Sequence, residues 1–191
     1  MPGYYIRVFF MEVDFMKLKN IVLVAVMCAL AVVFSITVRI PAFGFLTYDP
    51  KDVVLVIVGF MLGPWWALAA AFITALTELC LIGDTGIIGF FMNFIAAAAY
   101  SFTAGMVYKK IHTRKGAVVS LIMGTLSMTV FMILWNYIVT PFYMGMPRSE
   151  VAKLLIPVFL PFNVVKGILN SLITMFLYKP LVKALRKGNI I

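Results

Sequence analysis

The chain has 191 residues, 64% apolar and 12% charged, with a net charge of +9. A soluble domain carries about 45–50% apolar and about 25% charged residues, so a water-soluble enzyme and a disordered regulator are excluded and an integral membrane protein remains. The basic excess flanks apolar runs and lacks the aromatic-interleaved patch of a nucleic-acid binder, so it reads as a topology signal. Residues 1–20 form an N-terminal tail in which Met11 and Met16 leave a later start open. Ile21–Val38 is the first span, long enough to stay in the membrane rather than be cleaved as a signal peptide. Arg39–Asp52 follows as an outer loop rich in aromatics, Gly and Pro. Taken as one helix, Val53–Ile82 would measure about 45 Å against a hydrocarbon core of about 30 Å. Gly63-Pro64 breaks it, and Trp65-Trp66 follow like interface anchors. The first piece is expected to be short, capped by Asp49 with Pro50 at its first position. The second is Trp65–Ile82. Ile87–Tyr108, Ala117–Val139 and Phe162–Tyr178 complete six spans. The fold class is therefore all-α, a six-helix membrane domain over residues 21–185 with a short tail at 186–191.

The basic residues fall on two sides of these spans. Arg7, Lys17, Lys19, Lys109, Lys110, Arg114, Lys115, Lys179, Lys183, Arg186 and Lys187 share one side. Arg39, Lys51, Arg148 and Lys153 share the other, and Lys166 falls inside a span. That bias puts both termini in the cytoplasm. Cys28 and Cys80 lie in apolar runs and read as buried small hydrophobes, not as a disulfide.

Polar side chains are costly in hydrocarbon, so each one inside a span needs a reason. Asn136, Asn163, Lys166, Asn93 and Glu78 all fall toward the outer ends of their spans. Asn170 is deeper, on the helical face shared by Asn163 and Lys166. The inner halves carry almost only hydroxyls, which bond back to their own helix. A channel needs a polar lining throughout, and a proton relay needs ionisable groups across the membrane. The pattern instead describes a cup open to the outside, with an apolar floor and lid candidates in Arg39–Asp52 and Thr140–Pro161. Plainer roles stand beside this one. Lys166 can snorkel, Asn136 and Asn163 can glue helices, Glu78 can pair near headgroups, and Asp84-Thr85-Gly86 can simply open a helix. An asparagine carries donor and acceptor together and a lysine adds a donor, which suits the imide edge of a flat, partly aromatic molecule. With one cation in the cup, a phosphate or carboxylate ligand is not indicated.

Catalytic chemistry is not expected. There is no phosphate-binding Gly-x-x-x-x-Gly-Lys loop, and Gly83, Gly86 and Gly89 match no dinucleotide fingerprint. His112 is the single histidine and sits in a basic loop, so neither a metal set nor a nucleophile–base pair is available. No resident cofactor is expected either.

Several blocks resemble a known family. They are Phe45-Leu46-Thr47-Tyr48-Asp49-Pro50-Lys51-Asp52-Val53, Thr85-Gly86 through Met92-Asn93, Asn136 through Arg148, Leu160-Pro161-Phe162-Asn163-Val164-Val165-Lys166 and Tyr178-Lys179-Pro180. Over most of Lys17–Leu185 the chain resembles the substrate-binding S components of energy-coupling factor (ECF) vitamin transporters, and among them the riboflavin-specific group. The resemblance implies riboflavin as transported substrate in a prokaryotic plasma membrane. It implies Asn136, Asn163 and Lys166 at the polar ring edge, and Leu46, Thr47, Tyr48 and Asp49 as a lid segment. It also implies Glu78, Thr85, Gly86 and Asn93 on the ribityl side. The implied partners are a membrane coupling subunit of the EcfT type and two cytoplasmic ATPases. Ala25 and Ala29, a small-residue pair on the first span, would dock the coupling subunit. Ala96–Ala99 depart from the small hydroxylated residues of many relatives. The alternatives are an S component for another vitamin or flavin derivative, and a membrane scaffold that transports nothing.

Overall fold

The computed structural model describes residues 2–43, 46–82 and 86–187. Helix α1 runs Pro2–Thr37. A short antiparallel hairpin follows, β1 (Ile40–Phe43) with β2 (Leu46–Tyr48), pairing Ile40 with Tyr48 and Pro41 with Thr47. Then come α2 (Lys51–Leu62), α3 (Pro64–Leu81), α4 (Gly86–Lys110) and α5 (Arg114–Met144). The chain ends with α6 (Arg148–Leu154), one π-helical turn (Leu155–Phe159) and α7 (Leu160–Lys187).

Helix α2 is the centre of the bundle. Its run Val53–Phe60 has no polar face, and a helix apolar all round is stable only when protein surrounds it. Every residue from Lys51 to Phe60 is buried, and α2 touches α1, α3, α4 and α7. One side packs Val54, Leu55 and Val58 against Leu23, Met27 and Ala31 of α1. The other packs Val56 and Phe60 against Tyr100 of α4 and Met128 of α5. Gly63 ends the helix at φ 102°, a backbone conformation that only glycine adopts without strain, and Pro64 opens α3. The break therefore falls where Gly63-Pro64 announces it.

Among the described residues, five segments are long and apolar enough to cross a membrane: Leu18–Thr37, Pro64–Leu81, Gly86–Lys110, Arg114–Met144 and Arg148–Pro180. The sixth expected span, α2, has 12 residues. At about 18 Å it falls short of the hydrocarbon core and is sheathed by its neighbours instead. Its start also differs from expectation. Pro50 flanks the helix without any side-chain cap, and the Asp49 carboxylate is drawn to two lysines.

Both expected lid loops carry regular structure. The first holds the β-hairpin, so the chain is not purely helical. The second, Thr140–Pro161, is almost entirely helical. Pro141 lies inside α5, which closes at Gly145 in the left-handed conformation. Pro157 and Pro161 bring no N–H, and the chain answers with a π turn rather than a stop. Gly167 lets α7 lie against α5, since a Cβ there would collide with Thr125. Of the two cysteines, Cys28 is buried as expected, but Cys80 is exposed on the outer face of α3.

Candidate functional site

Lys51 and Asp52 open the central helix at its hairpin end. Because α2 is short and enclosed, their side chains cannot reach solvent. Lys51 is 2% exposed and Asp52 0%. A buried charge is tolerated only when paired and hydrogen-bonded. Lys51 Nζ donates to both carboxylate oxygens of Glu78, at 2.8 and 2.6 Å. Asn93 Nδ2 donates to the same carboxylate at 3.2 Å, tying α4 to α3. Lys51 also stands 3.8 Å from Asp49 Oδ1, beyond hydrogen-bond reach.

Lys166 of α7 continues the chain. Its ammonium lies 3.4 Å from Asp49 Oδ2 and 3.3 Å from Asp52 Oδ2. Asn170, one turn on, donates to Asp52 Oδ2 at 3.2 Å and accepts from the Tyr48 hydroxyl at 3.1 Å. Glu78, Lys51, Asp49, Lys166, Asp52, Asn170 and Tyr48 thus form one run of polar contacts across α3, α2, α7 and β2. Burial disfavours the Asp49 carboxylate, but Lys166 and Lys51 outweigh it and hold its pKa below the usual value. Burial pushes the Tyr48 hydroxyl up.

Three carboxylates face two ammoniums here. Among the described residues, Asp49 Oδ1 and Asp52 Oδ1 are buried without a hydrogen-bond partner. Unmet buried acceptors are costly, so this site is suited to a ligand that brings hydroxyl or N–H donors. A cleft beside the chain is lined by Thr47, Asp49, Lys51, Glu78, Gly86 and Asn93. Its open space, mouth included, is about 450 Å³.

The structure therefore brings Tyr48, Asp49, Glu78, Asn93 and Lys166 into one network, with Thr47 and Gly86 on the adjoining cleft. Thr85 lies outside the described residues. Leu46 anchors the hairpin instead, packing on Val151 and Phe159. Asn136 and Asn163 are buried, but Asn136 bonds within α5 and Asn163 reaches back one turn to the π turn. Asn136 donates to Met132 O at 2.7 Å and accepts from Thr140, and Asn163 donates to Phe159 O at 2.7 Å. Lys51 and Asp52 are the residues that sequence reasoning missed. Lys51 counted there as an outer-loop charge, whereas the signal was two charges set directly against a helix with no polar face. Ala25 and Ala29 are exposed on α1. They line an apolar groove of about 630 Å³ with Trp66 and Ile73 of α3.

A helical membrane bundle with a buried polar chain beneath a hairpin has the build of a solute-binding membrane component. The chain belongs to the family "ECF transporter, substrate-specific component", whose model matches residues 19–178. It is 28% identical to the riboflavin transporter FmnP of Bacillus subtilis (strain 168), over 92% of this chain and all of that one. It is 30% identical to the riboflavin transporter RibU of Streptococcus thermophilus (strain ATCC BAA-250 / LMG 18311), over 95% of this chain and 89% of that one. A solved S component of a bacterial ECF transporter superposes with a TM-score of 0.75 at 28% identity, covering 88% of this chain and 98% of that one. The S component for biotin from an ECF-type ABC transporter shares the fold, with a TM-score of 0.61 at 22% identity over 85% of this chain and 92% of that one.

Proposed function

We propose that this chain is the riboflavin-capturing S component of an ECF transporter in a prokaryotic plasma membrane. The observation that carries the reading is the buried polar chain joining the hairpin to α7 through Asp49 and Lys166, in a chain whose full-length relatives are riboflavin transporters. Riboflavin is a flat ring with an imide edge and a chain of hydroxyls. The hydroxyls are donors of the kind that Asp49 Oδ1 and Asp52 Oδ1 lack, and Glu78, Gly86 and Asn93 flank that side. Asn136, Asn163 and Lys166 serve the imide edge, with the two amides turning from their local partners to the ligand. Asn136, Asn163 and Lys166 do not line the cleft beside Asp49, so in this reading segment Leu46–Asp49 moves as the vitamin enters.

The basic end of the bundle lies in the cytoplasm with both termini, and the hairpin faces outward. Residues 21–185 form the membrane domain, flanked by the two tails. ATP is hydrolysed by two cytoplasmic ATPases, and a membrane coupling subunit of the EcfT type docks in the Ala25/Ala29 groove, where small residues admit a second helix closely.

The test is a riboflavin titration, read by quenching of flavin fluorescence, on the detergent-purified chain. Asn136→Ala and Asn163→Ala are each expected to weaken binding about tenfold, the scale of a buried hydrogen bond left unmade. Lys166→Ala is expected to weaken it further, with a melting curve alongside because Asp49 and Asp52 then lose their ammonium. Saturable binding unchanged by all three would refute the site, and absence of riboflavin binding by folded protein would refute the function.

A further inference from the structure

At the end of the bundle away from the hairpin, the α4–α5 turn and the end of α7 enclose a second pocket of about 220 Å³. Tyr108 and Tyr178 form one wall, their hydroxyls hydrogen-bonded at 2.9 Å. The Tyr108 ring is fixed by stacking on Phe60, 4.2 Å between centroids, and meets His112 edge-on at 5.4 Å. Exposed Arg114 and Lys179 line the pocket from α5 and α7. Ala117 and Met175 give it an apolar side. Thr113 caps α5 by accepting from Gly116 N–H at 2.9 Å, so the positive end of a 31-residue helix opens into the same space.

Among the described residues, no acidic side chain shares this pocket with Arg114 and Lys179. The sequence has no Asp or Glu between Asp84 and Glu150, nor after Glu150. The pocket lies at the ends of helices long and apolar enough to cross a membrane, where a basic pocket between helices suits an anionic lipid. An arginine fork and a lysine together match the oxygens of a phosphodiester. The apolar side, from Ala117 and Met175, matches a group that continues into hydrocarbon, which a free phosphate does not.

We propose that this pocket binds the phosphodiester headgroup of an anionic membrane lipid, with Arg114 and Lys179 on the phosphate oxygens. The inference is independent of which vitamin the hairpin end captures. It is tested by native mass spectrometry of the full chain released from mixed micelles of phosphatidylglycerol and phosphatidylcholine. Phosphatidylglycerol is expected to stay bound in preference. Arg114→Gln and Lys179→Gln are each expected to cut its retention about tenfold, the scale of a charge-assisted hydrogen bond. Lys109→Gln and Lys183→Gln, which change the same basic end outside the pocket, are expected to stay within about twofold. Equal retention of both lipids overturns the proposal. So does equal loss from all four variants, which would mark a diffuse surface potential. Displacement of the lipid by excess inorganic phosphate also overturns it, since the site would then take a free anion. If a variant fails to fold, the lipid preference and phosphate competition of the unaltered chain decide.

Discussion

Lys51 and Lys153 each hold a glutamate within 2.8 Å, one in the interior and one in solvent. The side chains of the Lys51–Glu78 pair are 3% and 4% exposed, and those of Lys153–Glu150 are 71% and 50% exposed. The distances are alike, but water screens the outer pair and leaves it worth under about 1 kcal/mol. Removing Lys51 from the inner pair leaves the buried Glu78 carboxylate with only the Asn93 amide as a hydrogen-bond donor. Lys51→Met is therefore expected to cost about 3–5 kcal/mol, and Lys153→Met under about 1 kcal/mol, in unfolding of the detergent-solubilised chain. Joint replacement, Lys51→Met with Glu78→Leu, is expected to recover most of the loss, because the stranded charge goes too. Equal effects of the two single changes would contradict the buried network.

At the scale of elements, the α2–α3 corner and the hairpin carry the consequences. Gly63 sits at φ 102° and ψ 171°. Gly63→Ala is expected to cost about 1–3 kcal/mol of stability from backbone strain alone. No neighbour lies within 4 Å of a Cβ placed there, so a large loss cannot come from collision. An unchanged melting temperature would mean that the corner relaxes. The hairpin is held to α7 by the Tyr48 hydroxyl on Asn170 and to α6 by Leu46 on Val151. Tyr48→Phe removes the first tie and keeps the ring. It is expected to speed riboflavin release several-fold, the scale of about one net hydrogen bond, in a stopped-flow displacement experiment. A release rate equal to that of the unaltered chain would mean that the tie does not hold the lid.

For the whole molecule, apolar runs and breaking signals in the sequence located the long helices and the α2–α3 corner, but not the shortness of α2, nor α6 and the π turn. Gly63-Pro64 marks the one corner that splits an overlong apolar run, and that run could not fit a bilayer otherwise. Asn163, Lys166 and Asn170 share a face by spacing, and they are all buried on the same side of α7. Glu78 and Asn93 were grouped by depth, and they meet. Part of what was not legible depended on partners distant in sequence. Lys51 and Asp52 look like loop charges until α1, α3, α4 and α7 close around a helix too short to release them. Pro157 and Pro161 look like loop formers, yet one lies in a π turn and the other in the first turn of α7. Cys80 looks buried because an apolar run does not say which face meets lipid.

Capture of riboflavin at the hairpin end is the property on which the proposed function stands. The most direct test is the visible absorption spectrum of the full chain purified in detergent from a riboflavin-containing host, followed by addition of riboflavin and, separately, of biotin. Flavin bands are expected to travel with the protein, with saturation by riboflavin but not by biotin. A colourless, folded protein that binds biotin, or neither vitamin, would contradict it.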